Sequence, residues 1–409
     1  MAGSPEPGRG GAGDVLRIAL RLGLTSFGGP IAHLGYFRQE YVVRRRWLDE
    51  VRFGDLVALG QFLPGPASSQ VGIAVGAERA GLRGGFAAWL GFTLPSALVM
   101  GALGLGVAGG VLGGGAWVDG LKLAAVAVVA HAVWSMARAL APDLPRAGLA
   151  LAAAALALAF ATPFTQVALI AAGAVAGLVL LPRLRAGIGP VPDAGAEAPP
   201  AASRRTAVAA LALFGAMLVG LPVLRAVTGD PAVALFEAFY RSGALVFGGG
   251  HVVLPLLEAS VVAPGWMSQE AFLAGYGAAQ ALPGPLFAFA AFLGAAASEP
   301  VPGGAAGALL ATIAIFLPGA LLVVGALPFW QVLRRRPRAR AALAGVNATV
   351  VGILAAALVD PVARSGISGP ADVAVAAAGF AALTTGRVPP LVVVAGSVVA
   401  AVVLGAAGV

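Results

Sequence analysis

The chain has 409 residues, of which 59% are hydrophobic and 11% charged, against about 25% charged in a soluble domain, so a soluble fold is excluded. The net charge is +8, but the arginines gather in short loops beside apolar runs, which reads as orientation in a membrane rather than nucleic-acid binding. There is no cysteine, which excludes disulfides, thiol catalysis and thiolate metal sites.

Residues 1–13 are rich in glycine and proline and are expected to be disordered, with no apolar core of a cleaved signal peptide. Residues 14–37 are apolar but interrupted at Gly28-Gly29-Pro30. The loop 38–52 carries Arg38, Arg44, Arg45, Arg46 and Arg52. Residues 53–77 are apolar and interrupted at Pro64-Gly65-Pro66. A short turn, Glu78 to Arg83, leads to a span at 85–107. A glycine-rich turn leads to another span at 116–138, and two short apolar pieces fill 147–181. Residues 183–205 read as a linker and 206–228 as a single connecting transmembrane helix. The order then repeats, with 232–257 broken at Gly248-Gly249-Gly250 and 271–297 broken at Pro283-Gly284-Pro285. Spans follow at 305–328 and 340–359, and a closing pair occupies 371–408.

The repetition extends to single residues. Arg21, Gly23, Phe27, Gly28 and Gly29 recur as Arg241, Gly243, Phe247, Gly248 and Gly249. Trp47, Phe53, Gln61, Leu63 and Pro64-Gly65-Pro66 recur as Trp266, Phe272, Gln280, Leu282 and Pro283-Gly284-Pro285. The chain is therefore an internal duplication, with 14–182 as its first repeat and 229–409 as its second. The arginine bias reverses between them. Loop 38–52 is basic and its counterpart 258–270 is not, whereas turn 109–118 has no arginine and its counterpart 331–340 has five. Under the positive-inside rule the repeats lie upside down relative to each other, with the N-terminus cytoplasmic and the C-terminus periplasmic. The expected fold is an all-α polytopic membrane protein. It has two inverted-topology repeats, broken or re-entrant helices at the F-G-G and P-G-P motifs, and about 10–13 membrane segments.

Interrupted segments at matching places in inverted repeats point to a transporter's binding site. Pro64 and Pro66 remove amide donors and forbid continuous helix. A helix starting after Pro66 would turn free amides and its positive end toward the break, which suits an anion, and Ser68 and Ser69 lie in that first turn. Arg21 and Arg241, each six residues before a motif phenylalanine, could grip a dianion through the guanidinium fork, or could snorkel to the headgroups. Gln61 and Gln280 could donate to an oxyanion or cap freed carbonyls. Lys122, just inside a later span with Asn347 as its counterpart, could be an anion ligand or could snorkel. His33, His131 and His251 have no metal-ligand spacing, so no metal or cofactor is expected, though a histidine could carry a proton. Arg44 to Arg46 read as orientation signals, and Trp47 and Trp266 as interface anchors.

Phe27-Gly28-Gly29, Val42, Trp47 and Pro64-Gly65-Pro66, doubled in one chain, resemble the chromate ion transporter family in its long, two-half form. The G-L-K at Gly120–Lys122 and the G-V-N at Gly345–Asn347 also look like that family. Ala77 stands where the pattern suggests a glycine, with Gly76 beside it. The resemblance implies a proton-motive-force-driven exporter of chromate, a tetrahedral dianion similar to sulfate. It would reside in a bacterial inner membrane and confer chromate resistance. Sulfate or other oxyanion uptake or exchange, and a passive anion channel, are the alternatives. A membrane-embedded lipid-phosphate enzyme is disfavoured, because the break tips carry glycine and proline rather than a catalytic cluster. The partners expected are the anion, the lipid bilayer and, as a candidate, a second copy of the chain.

Overall fold

The computed structural model describes residues 11–110, 115–160, 163–180, 203–247, 252–330 and 336–406. Among them the fold is all-α, with sixteen helices of eight residues or more and no strand. Five helices are long and apolar enough to cross a membrane.

In the first half, α1 (Ala12–Thr25) ends at the F-G-G motif and α2 (Gly29–Phe37) begins inside it, running into a π-helical turn at Arg38–Arg44. Helix α3 (Glu50–Phe62) is capped by the Asp49 side chain, which accepts from the Arg52 amide. It ends before P-G-P, and α4 (Ala67–Ala108) starts after it. Helices α5 (Ala116–Leu140), α6 (Leu144–Ala159) and α7 (Pro163–Val179) complete the half. The connector is α8 (Arg204–Thr228), opened by a Ser203 cap.

The second half repeats this order. Helix α9 (Pro231–Ala244) matches α1, α10 (Val253–Val261) matches α2, and α11 (Gln269–Gln280), capped by Ser268, matches α3. Helices α12 (Phe289–Ala296) and α13 (Gly304–Ala326) together match α4. Helices α14 (Pro337–Ala357), α15 (Pro370–Thr384) and α16 (Pro390–Ala406) close the chain. Of the expected linker, 183–202 lies outside the described residues, as do Gly248 and Gly249.

The turn expected at Glu78 to Arg83 is a reversal inside α4. Ala80 and Gly81 leave the helical region, Gly81 at φ +64°, and the two limbs fold back in contact. A Cβ on Gly76 would lie 2.4 Å from the Gly84 carbonyl oxygen, and one on Gly85 3.2 Å from that of Ile73. Residues twelve apart in a continuous helix would be about 18 Å apart. Small residues are what let two limbs approach this closely in a membrane.

The closing hairpins are exchanged between halves. Helices α6 and α7 pack on α14 of the second half, while α15 and α16 pack on α5 of the first. Glycines make each contact: Gly173 and Gly177 meet Gly345 and Ala341, and Gly120 meets Ser397 and Val398. The connector α8 lies on α9 and α13, with only 6% of its most apolar window buried by protein.

Trp266 departs from the expected interface position. It is 4% exposed and belongs to the core, where its carbonyl accepts from the Ser298 amide and hydroxyl at 2.9 and 3.0 Å. The loop around it has no lysine or arginine, and while Ala263, Pro264 and Gly265 stay exposed, the Trp266 ring turns inward. Trp47, in the basic loop, instead stacks on Tyr41 at 5.4 Å between centroids, with the Arg79 guanidinium 5.0 Å above its ring.

The basic loop is held by carboxylates. Arg44 and Arg45 donate to Glu40 at 3.2 and 2.6 Å, and Arg52 donates to Glu78. Burial pushes the Glu40 carboxyl up, but the hydrogen bonds from Arg45 and Arg44 outweigh it and hold the pKa below the ordinary carboxylate value. A depressed carboxylate stabilises above its unfolded pKa of about 4.3, and the contribution is lost as pH falls through the lower folded value. Glu40→Gln should therefore expose Arg44–Arg46 to trypsin at neutral pH, where the unaltered loop resists. Equal cleavage of both proteins would show that Glu40 does not hold the loop.

Candidate anion site at the crossed breaks

The breaks of the two halves are tied to each other. The Gly65 amide donates to the Val246 carbonyl at 2.7 Å, and the Gly284 amide donates to the Ser26 carbonyl at 2.9 Å. Ser26 and Val246 are the residues immediately before the two F-G-G phenylalanines. Each P-G-P therefore meets the F-G-G of the other half, and the two bonds are reciprocal. Proline has no amide hydrogen, so the glycine N–H is the single backbone donor in each tripeptide. Gly65 has φ +123° and Gly284 φ +93°, a region that side chains disfavour.

A second pair of prolines completes the junction. Pro95 in α4 and Pro318 in α13 sit at matching places, followed by Ser96 and Gly319. A Cβ at Gly65 would lie 3.2 Å from Gly319 Cα, and one at Gly284 2.8 Å from Ser96 Oγ. A Leu-Pro followed by a small residue recurs in the two halves, so this signal was present in the sequence. Gly23 and Gly243 set the helix crossings beside it, Gly23 against the carbonyls of Gly91 and Phe92 and Gly243 against that of Ile315.

The side chains expected to bind do not all gather here. Ser68 and Ser69 are buried in the first turn of α4, and Pro64 accepts a hydrogen bond from Gln70 Nε2 at 2.8 Å. Pro66 packs near Gly319, and Pro283 and Pro285 flank Gly284 in the matching turn. Gly28, at φ +94°, and Gly29, at φ +76°, shape the F-G-G turn. Gln61 is exposed at the end of α3, whereas Gln280 Nε2 is buried without a partner. Away from the junction, Lys122 pairs with Asp119 at 2.7 Å and Asn347 Oδ1 is buried and unpartnered.

The two arginines differ. Arg21 is exposed and makes no ion pair among the described residues. Arg241 Nε lies 3.0 Å from Glu237, a carboxylate 3% exposed that also accepts from Arg225 at 3.0 Å. Removing Arg241 leaves a buried carboxylate with one cation fewer, a type of loss that costs about 3–5 kcal/mol when the pair is fully buried and less for this partly exposed arginine. Arg241→Ala should therefore lower protein level and thermal stability more than Arg21→Ala does. Equal stability of the two variants would remove the structural role of the Glu237 cluster.

One histidine that spacing did not single out lies at the junction. His33 is 1% exposed, its Nδ1 is 3.3 Å from Ser68 Oγ, and its ring meets Phe92 edge-on at 5.2 Å. Its position is set by tertiary packing rather than by a motif.

The family model described as chromate transporter matches residues 13–178 and 233–405. The chain belongs to the chromate transporter family. It is 31% identical to the chromate transport protein of Pseudomonas aeruginosa, over 83% of this chain and 79% of that one. It is 28% identical to the probable chromate transport protein of Synechococcus elongatus, over 85% and 83%. With the chromate transport protein of Cupriavidus metallidurans it shares 26% identity, over 86% and 83%. No solved structure matches it significantly. The chain is thus a multi-pass membrane transport protein of this family.

Proposed function

We propose that the protein exports chromate from the cytoplasm across a bacterial inner membrane, driven by the proton motive force, and so confers chromate resistance. The halves act as inverted repeats, with the N-terminus cytoplasmic and the C-terminus periplasmic. The anion passes at the crossed P-G-P and F-G-G breaks, where backbone amides and the start of α4 supply positive potential. The observation that carries this reading is the reciprocal pair of bonds, Gly65 to Val246 and Gly284 to Ser26. A rocking of one half against the other would change both breaks together. The relatives described as chromate transport proteins support the choice of anion.

The test is flux in proteoliposomes, with chromate, sulfate, molybdate and phosphate compared with and without a proton gradient. Gradient-dependent chromate movement is expected. Preference for sulfate would establish the exchange reading, and gradient-independent flux a channel. Reporter fusions placing both termini on one face would refute the inverted arrangement.

A further inference from the structure

The duplicated junction is not chemically duplicated. In the first half it is lined by Ser26, His33, Ser68, Ser69, Gln70 and Thr93, each no more than 4% exposed. At the matching places the second half has Val246, Val253, Phe287, Ala288, Phe289 and Phe316, also buried. There the aromatic rings pack on one another, with Phe287 6.0 Å from Phe316 and Phe272 5.3 Å from Phe289.

The polar side is under-satisfied. Ser26 Oγ, His33 Nε2, Ser69 Oγ, Gln70 Oε1 and Thr93 Oγ1 are buried with no hydrogen-bond partner. A buried polar atom without a partner costs about 1–3 kcal/mol, and native structures carry few. Five in one place need a reason. They are also connected. His33 reaches Ser68 and packs on Phe92, the neighbour of Thr93; Ser26 receives the Gly284 amide; Gln70 bonds Pro64 beside Gly65. The first-turn amides of Ala67, Ser68 and Ser69 have no preceding helical carbonyl to bond.

We infer that the two junctions form one oxyanion site and one seal. Ser26, His33, Ser68, Ser69 and Thr93 of the first half, with the opening amides of α4, bind the tetrahedral anion, and the aromatic cluster of the second half keeps the matching position dry. This deepens the proposed function and rests on it. Fixed neutral dipoles suit a tetrahedral oxyanion. They can surround four oxygens, they need no reorganisation, and the surrounding low dielectric strengthens each contact. Gln70 Oε1 can accept only, which suits a protonated anion oxygen or a donor that orients the cage.

The orphaned atoms make the test sharp. Ser69→Ala and Thr93→Val remove hydroxyls that bond nothing in the protein, so neither variant should lose stability. Each should raise the KM for chromate in proteoliposomes by about tenfold or more and weaken equilibrium binding of radiolabelled chromate to purified protein in parallel. His33→Gln should do the same. Ala288→Ser, at the buried matching place on the dry side, alters no group that meets the anion and should leave KM within about twofold. Wild-type KM and binding in Ser69→Ala and Thr93→Val, in a preparation whose unaltered protein transports chromate, would overturn the one-sided site alone. A tenfold rise in Ala288→Ser would also overturn it. Absence of both flux and binding in the unaltered protein would overturn the function and this inference with it.

Discussion

Gly65→Val and Gly284→Val should each abolish transport while leaving most of the protein in the membrane. Both glycines sit at positive φ, where a β-branched residue costs about 1–3 kcal/mol. Space is also lacking. A Cβ at Gly65 would lie 2.9 Å from Gln70 Nε2 and 3.2 Å from Gly319 Cα, and one at Gly284 2.8 Å from Ser96 Oγ. The turn must open to accept the side chain. Opening it withdraws the single amide of the tripeptide from Val246 or Ser26. The loss is local, because the helices on either side are held by their own packing. Transport rate divided by protein level is the measurement. A ratio near wild type in both variants would mean that the breaks are kinks and that the anion passes elsewhere.

Gly243→Ala should be the more destructive change, and through a different quantity. Its Cβ would lie 2.1 Å from the Ile315 carbonyl oxygen and 3.1 Å from Pro318 Cγ. The obstruction is backbone, so no rotamer relieves it, and α9 must move away from α13. Overpacking of this kind costs about 1–3 kcal/mol or more against a total stability of about 5–15 kcal/mol. Folded protein and thermal midpoint should fall together. Gly215→Ala in the connector is the control, since nothing lies within 4 Å of its Cβ. Equal levels of Gly243→Ala and Gly215→Ala would show that the crossing yields easily.

The places where the chain stops being helical were legible because glycine and proline act locally. P-G-P and F-G-G need no knowledge of the partner. The partners themselves were not legible. A duplicated sequence says that two breaks are alike, not that each bonds the other rather than its own copy. Trp266 was misplaced for the same reason, since periodicity cannot tell lipid from a neighbouring helix in an apolar chain. Some of the site is written in the sequence. Glu237 lies one helical turn before Arg241, the spacing that pairs charges on a helix. The polar residues of the first junction could have been set against their apolar counterparts by carrying the repeat past P-G-P.

The exchanged closing hairpins bear on how the chain is made. Helices α6 and α7 enter the membrane early, but α14, on which they pack, leaves the ribosome only after the connector and most of the second half. At roughly 5–20 residues per second the wait is on the order of ten seconds or more. During it the glycine faces around Gly173 and Gly177 meet only lipid or a chaperone. The first half is therefore an unfinished intermediate until α14 of the second half follows it. A stop codon before residue 337 would leave a half inserted but unlocked, a natural substrate for membrane proteases.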